Sequence, residues 1–203
     1  MQIHIIRHGQ TEFNVGESRF RGQLDIPLSE VGDKQAEAVA LALKAIPLNT
    51  IYYSPLKRAK VTAERIRLFH PKASFVEEPY LITLNFGDWQ GKYHHEVFTA
   101  EEKQQWKLNP NIFVIPNGET FYQVLDRVHR LFMRLRLQDE ESIALITHRV
   151  VIINILLYFF KLDPSHFWDF QVQPASITQI EYTPDNTFRL IKLNETRHLE
   201  KLG

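Results

Sequence analysis

Five short runs rich in Val, Ile and Tyr punctuate the chain, and the stretches between them carry helical spacing instead. The runs are Ile3 to Ile6, Ile51 to Tyr53, Ser142 to Thr147, Ser176 to Tyr182 and Phe188 to Leu193. β-Branched and aromatic residues in such runs favour strands, because their side chains pack well on a pleated surface. Between them, Ser29 is placed to cap a helix with the apolar stripe Ala36, Val39, Ala40 and Leu43. Ser54-Pro55 reads as an N-cap followed by proline at the first helical position. The clearest helix starts near Glu119, where Phe121, Val124, Leu125, Val128, Leu131, Phe132 and Leu135 step by three and four. That spacing turns one face to a core and leaves Asp126, Arg127, Arg130 and Arg134 for water. Strands alternating with helices predict an α/β fold, a three-layer α/β/α sandwich whose central sheet is mostly parallel and covered on both faces. The last two runs differ: Pro184-Asp185-Asn186 is a turn signal between them and predicts an antiparallel hairpin.

A length of 203 residues suits a single domain, 1–203, that buries about 70% of its extended surface. Lys and Arg number 24, as do Asp and Glu, so there is no basic excess of the kind that binding to nucleic acid or an anionic membrane requires. Cysteine is absent, which excludes disulfides, thiol nucleophiles and thiolate zinc sites. The longest apolar run, Val150 to Phe160, is broken by Asn154 and falls short of the roughly 20 residues of a membrane span, so it reads as a buried helix. The start Met1-Gln2-Ile3-His4-Ile5-Ile6-Arg7 has no basic segment followed by an apolar one, and a cytoplasmic product is expected.

Two segments resist regular structure. Residues 8–28 hold Gly9, Gly16, Gly22 and Pro27, and residues 77–95 hold Pro79, Gly87, Gly91, Trp89 and Tyr93. In α/β folds such loops, beyond the carboxyl ends of strands, carry function. The first strand runs straight into Arg7-His8-Gly9-Gln10-Thr11, with Asn14 close behind. Further on come Gly22, Asp25-Ile26-Pro27-Leu28-Ser29 with Gly32, and Tyr53-Ser54-Pro55-Leu56-Lys57-Arg58-Ala59 followed by Thr62-Ala63. Asn85-Phe86-Gly87-Asp88-Trp89-Gln90-Gly91, Pro116-Asn117-Gly118-Glu119-Thr120 and Ile146-Thr147-His148 complete the series. In order and spacing these segments resemble the histidine phosphatase superfamily, the phosphoglycerate mutase-like enzymes, over nearly the whole chain.

The resemblance implies a phosphatase with His8 as nucleophile and Arg7, Arg58 and His148 as its catalytic partners. Phosphate contacts are implied for Thr11, Asn14 and the segment at Arg21 and Gly22. The chemistry fits these residue types. Arginine grips phosphate oxygens in pairs, a neutral imidazole nitrogen attacks phosphorus to give a phosphohistidine, and a second histidine stabilises charge on the equatorial oxygens. Arg21 stands where the family has a polar residue such as Gln, and either touches phosphate or is exposed. His4, His70, His129, His166 and His198 are given structural places. His94-His95-Glu96 has no third spaced ligand, so no metal is expected, and no cofactor either. The expected partner is a small-molecule phosphomonoester, with no nucleic acid and no membrane; a homodimer is compatible with all of this.

One departure bears on mechanism. Family members carry a glutamate three residues before the Phe86-Gly87-Asp88-Trp89 segment, which protonates the leaving alkoxide; here Thr83 stands there. General acid help is typically worth 10²- to 10⁴-fold. Either another carboxyl group substitutes, or the leaving group is a better one, or the chain is a phospholigand-binding module with little turnover. Substitution is the working hypothesis, with Glu119 first and Glu78, Glu77 and Asp88 as the other candidates. A second departure is Arg149-Val150, in place of small residues after His148. Among subfamilies the chain looks most like the alpha-ribazole phosphatases, through Asn85 to Trp89, Lys92-Tyr93-His94-His95 and Phe167-Trp168-Asp169-Phe170. Phe86, Trp89, Tyr93, Phe98 and Trp106 would offer aromatic surface to a base. A broad-specificity phosphatase or a phosphoglycerate mutase of the same superfamily is the alternative, although the chain lacks an obvious insertion to enclose a bisphosphate.

Overall fold

The computed structural model describes residues 1–17, 19–183 and 187–202. Six strands form one sheet: β1 (Gln2–Arg7), β2 (Thr50–Tyr53), β3 (Ser74–Glu77), β4 (Ser142–Thr147), β5 (Ile177–Tyr182) and β6 (Phe188–Glu195). Their order is β3-β2-β4-β1-β5-β6. The first four are mutually parallel, and β5 and β6 run antiparallel at one edge. The expected hairpin pairing is therefore present, while its turn Pro184-Asp185-Asn186 lies outside the described residues.

Alternation along the strands assigns each side chain to a layer. Ile3, Ile5, Ile143 and Leu145 join a core under α5 (Phe121–Leu135) and α6 (Arg149–Phe160). Ile6, Ala144, Ile146 and Ile51 join a second core under α1 (Glu30–Leu43) and α2 (Lys57–Arg67). The two cores on opposite faces of a mostly parallel sheet are the α/β/α sandwich that the alternation required. α1 begins where expected, with Ser29 Oγ accepting from the Gly32 N–H at 3.1 Å. α6 is buried along most of its length, and its one polar interior residue, Asn154, returns a hydrogen bond to the Val150 carbonyl of its own helix at 2.8 Å. Among the described residues no helix is long and apolar enough to cross a membrane.

Three expectations need correction. β3 carries no strong strand pattern because it is a short edge strand, exposed at Ser74, Val76 and Glu77 and paired only with β2. Arg127 does not face water: it is buried and bonds to Glu119 and to the Tyr80 carbonyl. Ser54 does not cap α2, which begins at Lys57 with Leu56 before it; its hydroxyl is used elsewhere. Two short helices, α3 (His94–Val97) and α4 (Ala100–Leu108), follow the 77–95 segment and build one side of the cavity described next.

Candidate active site

β2, β4 and β1 lie side by side in the sheet, and their carboxyl ends share one edge. The chain leaves β1 for α1 on one face and β4 for α6 on the other, so a crevice opens between the departing segments. His8 follows β1, His148 follows β4 and Ser54 follows β2, which brings the three together although the sequence scatters them. The imidazole centres of His8 and His148 stand 5.0 Å apart with the planes at 60°. A cavity of about 630 Å³ opens in front of them.

His8 is held from every side. Its N–H donates to the Thr147 carbonyl at 3.0 Å, and its carbonyl accepts from the Ala175 N–H at 3.1 Å. Its Nδ1 lies 2.7 Å from the Gly9 carbonyl, which can only accept, so Nδ1 carries the proton and Nε2 presents a lone pair. Burial, then Arg58 and Arg7, hold this imidazole well below the usual histidine range, and it is neutral at pH 7. Residue 9 has to be glycine for the chain to close here. A Cβ at Gly9 would fall 2.3 Å from the Gly32 carbonyl oxygen, because the loop packs backbone against backbone on the start of α1.

Four guanidinium groups surround the imidazoles. Arg7 Nη1 donates to the Val172 carbonyl at 2.6 Å, and Arg58 donates from Nη1 to Leu24 and from Nη2 to Gly22, at 2.7 and 2.8 Å. Gly22 accepts that bond from a left-handed backbone with φ +49°. The Nε atoms of Arg7 and Arg58 are buried with no acceptor among the described residues. Arg21 and Arg149 complete the group on the cavity wall. Burial first, then Arg21, pushes Arg58 down to about 10, and burial then Arg149 does the same to Arg21. No carboxylate lies on this wall among the described residues. Such uncompensated charge suits a dianion, which would accept from the free N–H groups and relieve the mutual repulsion.

His148 sits on the same cavity with its Nε2 at 2.7 Å from Ser54 Oγ, a partner that the sequence pattern assigned to a helix cap. Burial, then Arg58 and His8, hold His148 well below the usual range, so it is neutral here and gains its proton only against an incoming negative charge. Asn14 and Gly22 line the cavity, while Thr11 is fully buried behind it. Thr11 donates from both its hydroxyl and its N–H to Asn14 Oδ1, at 2.9 and 2.8 Å, which leaves the Asn14 amide nitrogen as the donor for a ligand. The structure thus gives Thr11 a positioning place, one step behind the contact expected of it.

Thr83 is on the cavity wall, where the family glutamate was expected. None of the proposed replacements reaches it. Glu119 accepts from the Asn85 N–H at 2.9 Å and pairs with Arg127 at 3.2 Å. Glu78 is buried, takes the Tyr80 N–H and pairs with Arg134. Asp88 accepts from Asn117 Nδ2, and Glu77 is exposed at the end of β3. Each carboxylate serves the loop that carries it, a reason visible only once Arg127 and Arg134 are placed. Glu119→Gln and Glu78→Gln are therefore expected to change kcat for alkyl phosphates less than about threefold, far under the 10²- to 10⁴-fold of a lost general acid. Glu78→Gln should instead lower the melting temperature, since Arg134 loses its partner; steady-state kinetics and thermal melts read the two effects separately.

The aromatic surface also differs in detail from the expectation. Phe86 and Trp106 line the cavity, but Trp89 and Phe98 are buried behind Phe20, and Tyr93 lies under Arg19 at 3.9 Å. Phe13, Phe20, Phe121, Phe167 and Trp168 take their places on the wall. His94 and His95 part company: the former stacks on Phe20 at 4.2 Å on the cavity wall, and the latter pairs with Glu17 outside it. The mouth carries Arg19, Lys103 and Lys107, cations that no motif marked. His4, His70, His129, His166 and His198 lie off the cavity.

Histidines held below their ordinary range make stability depend on pH. His4 is pushed down to about 4 by burial and then by Lys192, and His8 and His148 are lowered in the same direction by burial and by neighbouring cations. The unfolded chain takes up protons near 6.5, while the folded chain resists them, so the stability they confer is complete above pH 6.5 and is lost as pH falls. His4 alone accounts for roughly 3 kcal/mol by pH 4. The melting temperature should drop between pH 6.5 and 5, before carboxylates titrate; a flat profile in that window would contradict this.

Comparison with known proteins finds phosphatases among the relatives of this chain. "Phosphoserine phosphatase 1" of Hydrogenobacter thermophilus is 30% identical over 203 residues, covering 98% of this chain and 94% of its own. The adenosylcobalamin/alpha-ribazole phosphatase of Salmonella typhimurium is 27% identical over 184 residues, covering 89% and 90%. The solved structure titled Bacillus stearothermophilus YhfR matches with a TM-score of 0.88 at 28% identity, over 98% of this chain and 99% of that one. Relatives with different named substrates lie at similar distances, so likeness alone selects a chemistry and not a substrate. Since the sequence profile of the histidine phosphatase superfamily (branch 1) matches residues 3–196, the chain belongs to that superfamily.

Proposed function

We infer that the protein hydrolyses small phosphomonoesters in two steps through a phosphohistidine on His8. In the first, His8 Nε2 bonds to phosphorus as the P–O ester bond breaks and the leaving oxygen departs as an anion that takes its proton from water; in the second, water attacks phosphorus, the P–N bond breaks to return the neutral imidazole, and inorganic phosphate leaves with the water's oxygen and protons. The observation that carries this reading is the His8 Nδ1 bond to the Gly9 carbonyl, which exposes a neutral Nε2 among four arginines. Arg7 and Arg58 would hold the phosphate, Asn14 would add a donor, and His148, turned by Ser54, would meet the charge that develops on the oxygens.

With no carboxyl group on the wall among the described residues, esters of acidic alcohols should react fastest. We expect p-nitrophenyl phosphate to exceed propyl phosphate in kcat by about 10²- to 10⁴-fold, the usual worth of a general acid. Mixing enzyme with labelled phosphomonoester and quenching in base tests the mechanism, since a phosphohistidine is stable there and labile in acid. Label on His8 supports the hydrolase. Its absence under single-turnover conditions would favour the other class, a phospholigand-binding module, which the Thr83 wall makes the proper competitor.

The narrower reading is an alpha-ribazole 5′-phosphate phosphatase acting on the nucleotide-loop precursor of cobalamin. Phe86, Trp106, Phe167 and Trp168 on the wall support it, because a benzimidazole-like base would stack there. Comparing kcat/KM for alpha-ribazole 5′-phosphate and O-phosphoserine separates it from a broader specificity.

A further inference from the structure

One phosphate dianion at His8 leaves two of the four guanidinium groups around the imidazoles unexplained. Arg7 and Arg58 match its two charges. Arg21 and Arg149 remain, and they lie close enough that Arg149 lowers the proton affinity of Arg21, and both lower that of Arg7. Both are half-buried, and neither takes part in an ion pair among the described residues. Arg149 is held in place by ring faces, 4.9 Å from the centre of Trp168 and 6.0 Å from that of Phe167, and its Nε is buried with no acceptor. A half-buried guanidinium beside others of its kind is costly unless a ligand brings the opposite charge.

A second observation says where that charge would sit. Arg7, Arg21 and Arg149 also line a second, more open cavity of about 460 Å³, whose other sides are the amides of Gln10, Asn14, Gln35 and Gln173 together with Pro174 and Leu199. This wall too has no carboxylate among the described residues. Arg21 and Arg149 therefore stand between the phosphate site and a compartment lined with amides, both of them next in sequence to residues of the phosphate site, Gly22 and His148.

We propose that Arg21 and Arg149 form a second anion site, which selects phosphomonoesters carrying a further anionic group, a carboxylate or a second phosphoryl, beside the one transferred. The first anion is the one assigned to His8 above, so the proposal rests on that reading. A substrate such as alpha-ribazole 5′-phosphate, whose only anion is its phosphate, leaves the second site unused.

Three esters on one three-carbon frame test it: propyl phosphate, 3-phosphooxypropionate and 1,3-propanediol bisphosphate. Their dissociation constants are measured by calorimetry on the His8→Ala protein, alone and combined with Arg21→Gln, Arg149→Gln or Arg149→Lys. Binding needs no turnover, so a failed hydrolase reading, seen as no labelled His8 in the unsubstituted protein, is a separate result. The second anion should tighten binding by roughly 10- to 100-fold over propyl phosphate. That ratio should collapse towards one with either glutamine and be partly kept with Arg149→Lys. A gain for 3-phosphooxypropionate alone identifies a carboxylate as the second group, and a gain for the bisphosphate alone identifies a phosphoryl. Equal affinity for all three esters, or a ratio that survives both glutamine substitutions, overturns the proposal.

Discussion

Replacing His8 by alanine lowers kcat for phosphomonoesters by about four to six orders of magnitude, the loss seen when a nucleophile is removed from a unit that works together. The fold should survive. The imidazole bonds only to the adjacent Gly9 carbonyl, whereas the bonds that anchor this segment, from the His8 N–H to Thr147 and from Ala175 to the His8 carbonyl, belong to the main chain. Removing a buried neutral ring from among four guanidinium groups leaves no broken ion pair, so the stability change should stay under about 2 kcal/mol. Kinetics with p-nitrophenyl phosphate, together with a thermal melt, checks both halves. Activity within tenfold of the parent protein would exclude covalent catalysis at this residue.

Arg58→Ala should cost activity and stability together, with kcat/KM falling by about 10³- to 10⁵-fold, the range for a guanidinium that meets charge on a transferring phosphoryl group. Arg58 is almost wholly buried and holds the Gly22 and Leu24 carbonyls with its two Nη groups, which makes it the peg between α2 and the loop that carries Arg21. Its loss strands two carbonyls at about 1–3 kcal/mol each where they stay dry. Arg58→Lys tells the two roles apart. An ammonium keeps the charge yet cannot bond two carbonyls and present a free Nε–H at once, so kcat/KM should stay at least about 10²-fold down. A lysine variant with full activity would show that Arg58 acts by charge alone, and an alanine variant with full activity would remove it from the mechanism.

Much of this was legible along the chain because it is local. The stripe Ala36, Val39, Ala40 and Leu43 is the buried face of α1, and Ser29 caps it through Gly32, three residues on. The bond that selects the His8 tautomer runs to the next residue, and Asn14 is turned by Thr11. Strand-end positions for His8 and His148 followed from the same reading, and the sheet order brings those ends together.

The charged residues were a different matter. Helical spacing put Arg127 and Arg134 on a polar face, but α5 packs so that this face meets Glu119 and Glu78, and the two carboxylates proposed as acids are consumed there. Ser54 has the look of a helix cap until β2 is set beside β4, which carries its hydroxyl to His148. β3 is too short and too exposed to announce itself, and it acquires its structure from β2.

Periodicity within one element, and bonds that span a few residues, are properties of the sequence, and by themselves they determined the layers and the apolar faces of the helices. Which charges meet depends on how β3-β2-β4-β1-β5-β6 orders segments far apart in the chain. Only the tertiary structure decided that the cavity would hold five arginines and, among the described residues, no carboxylate, because electrostatic partnership acts through space and leaves no period to read.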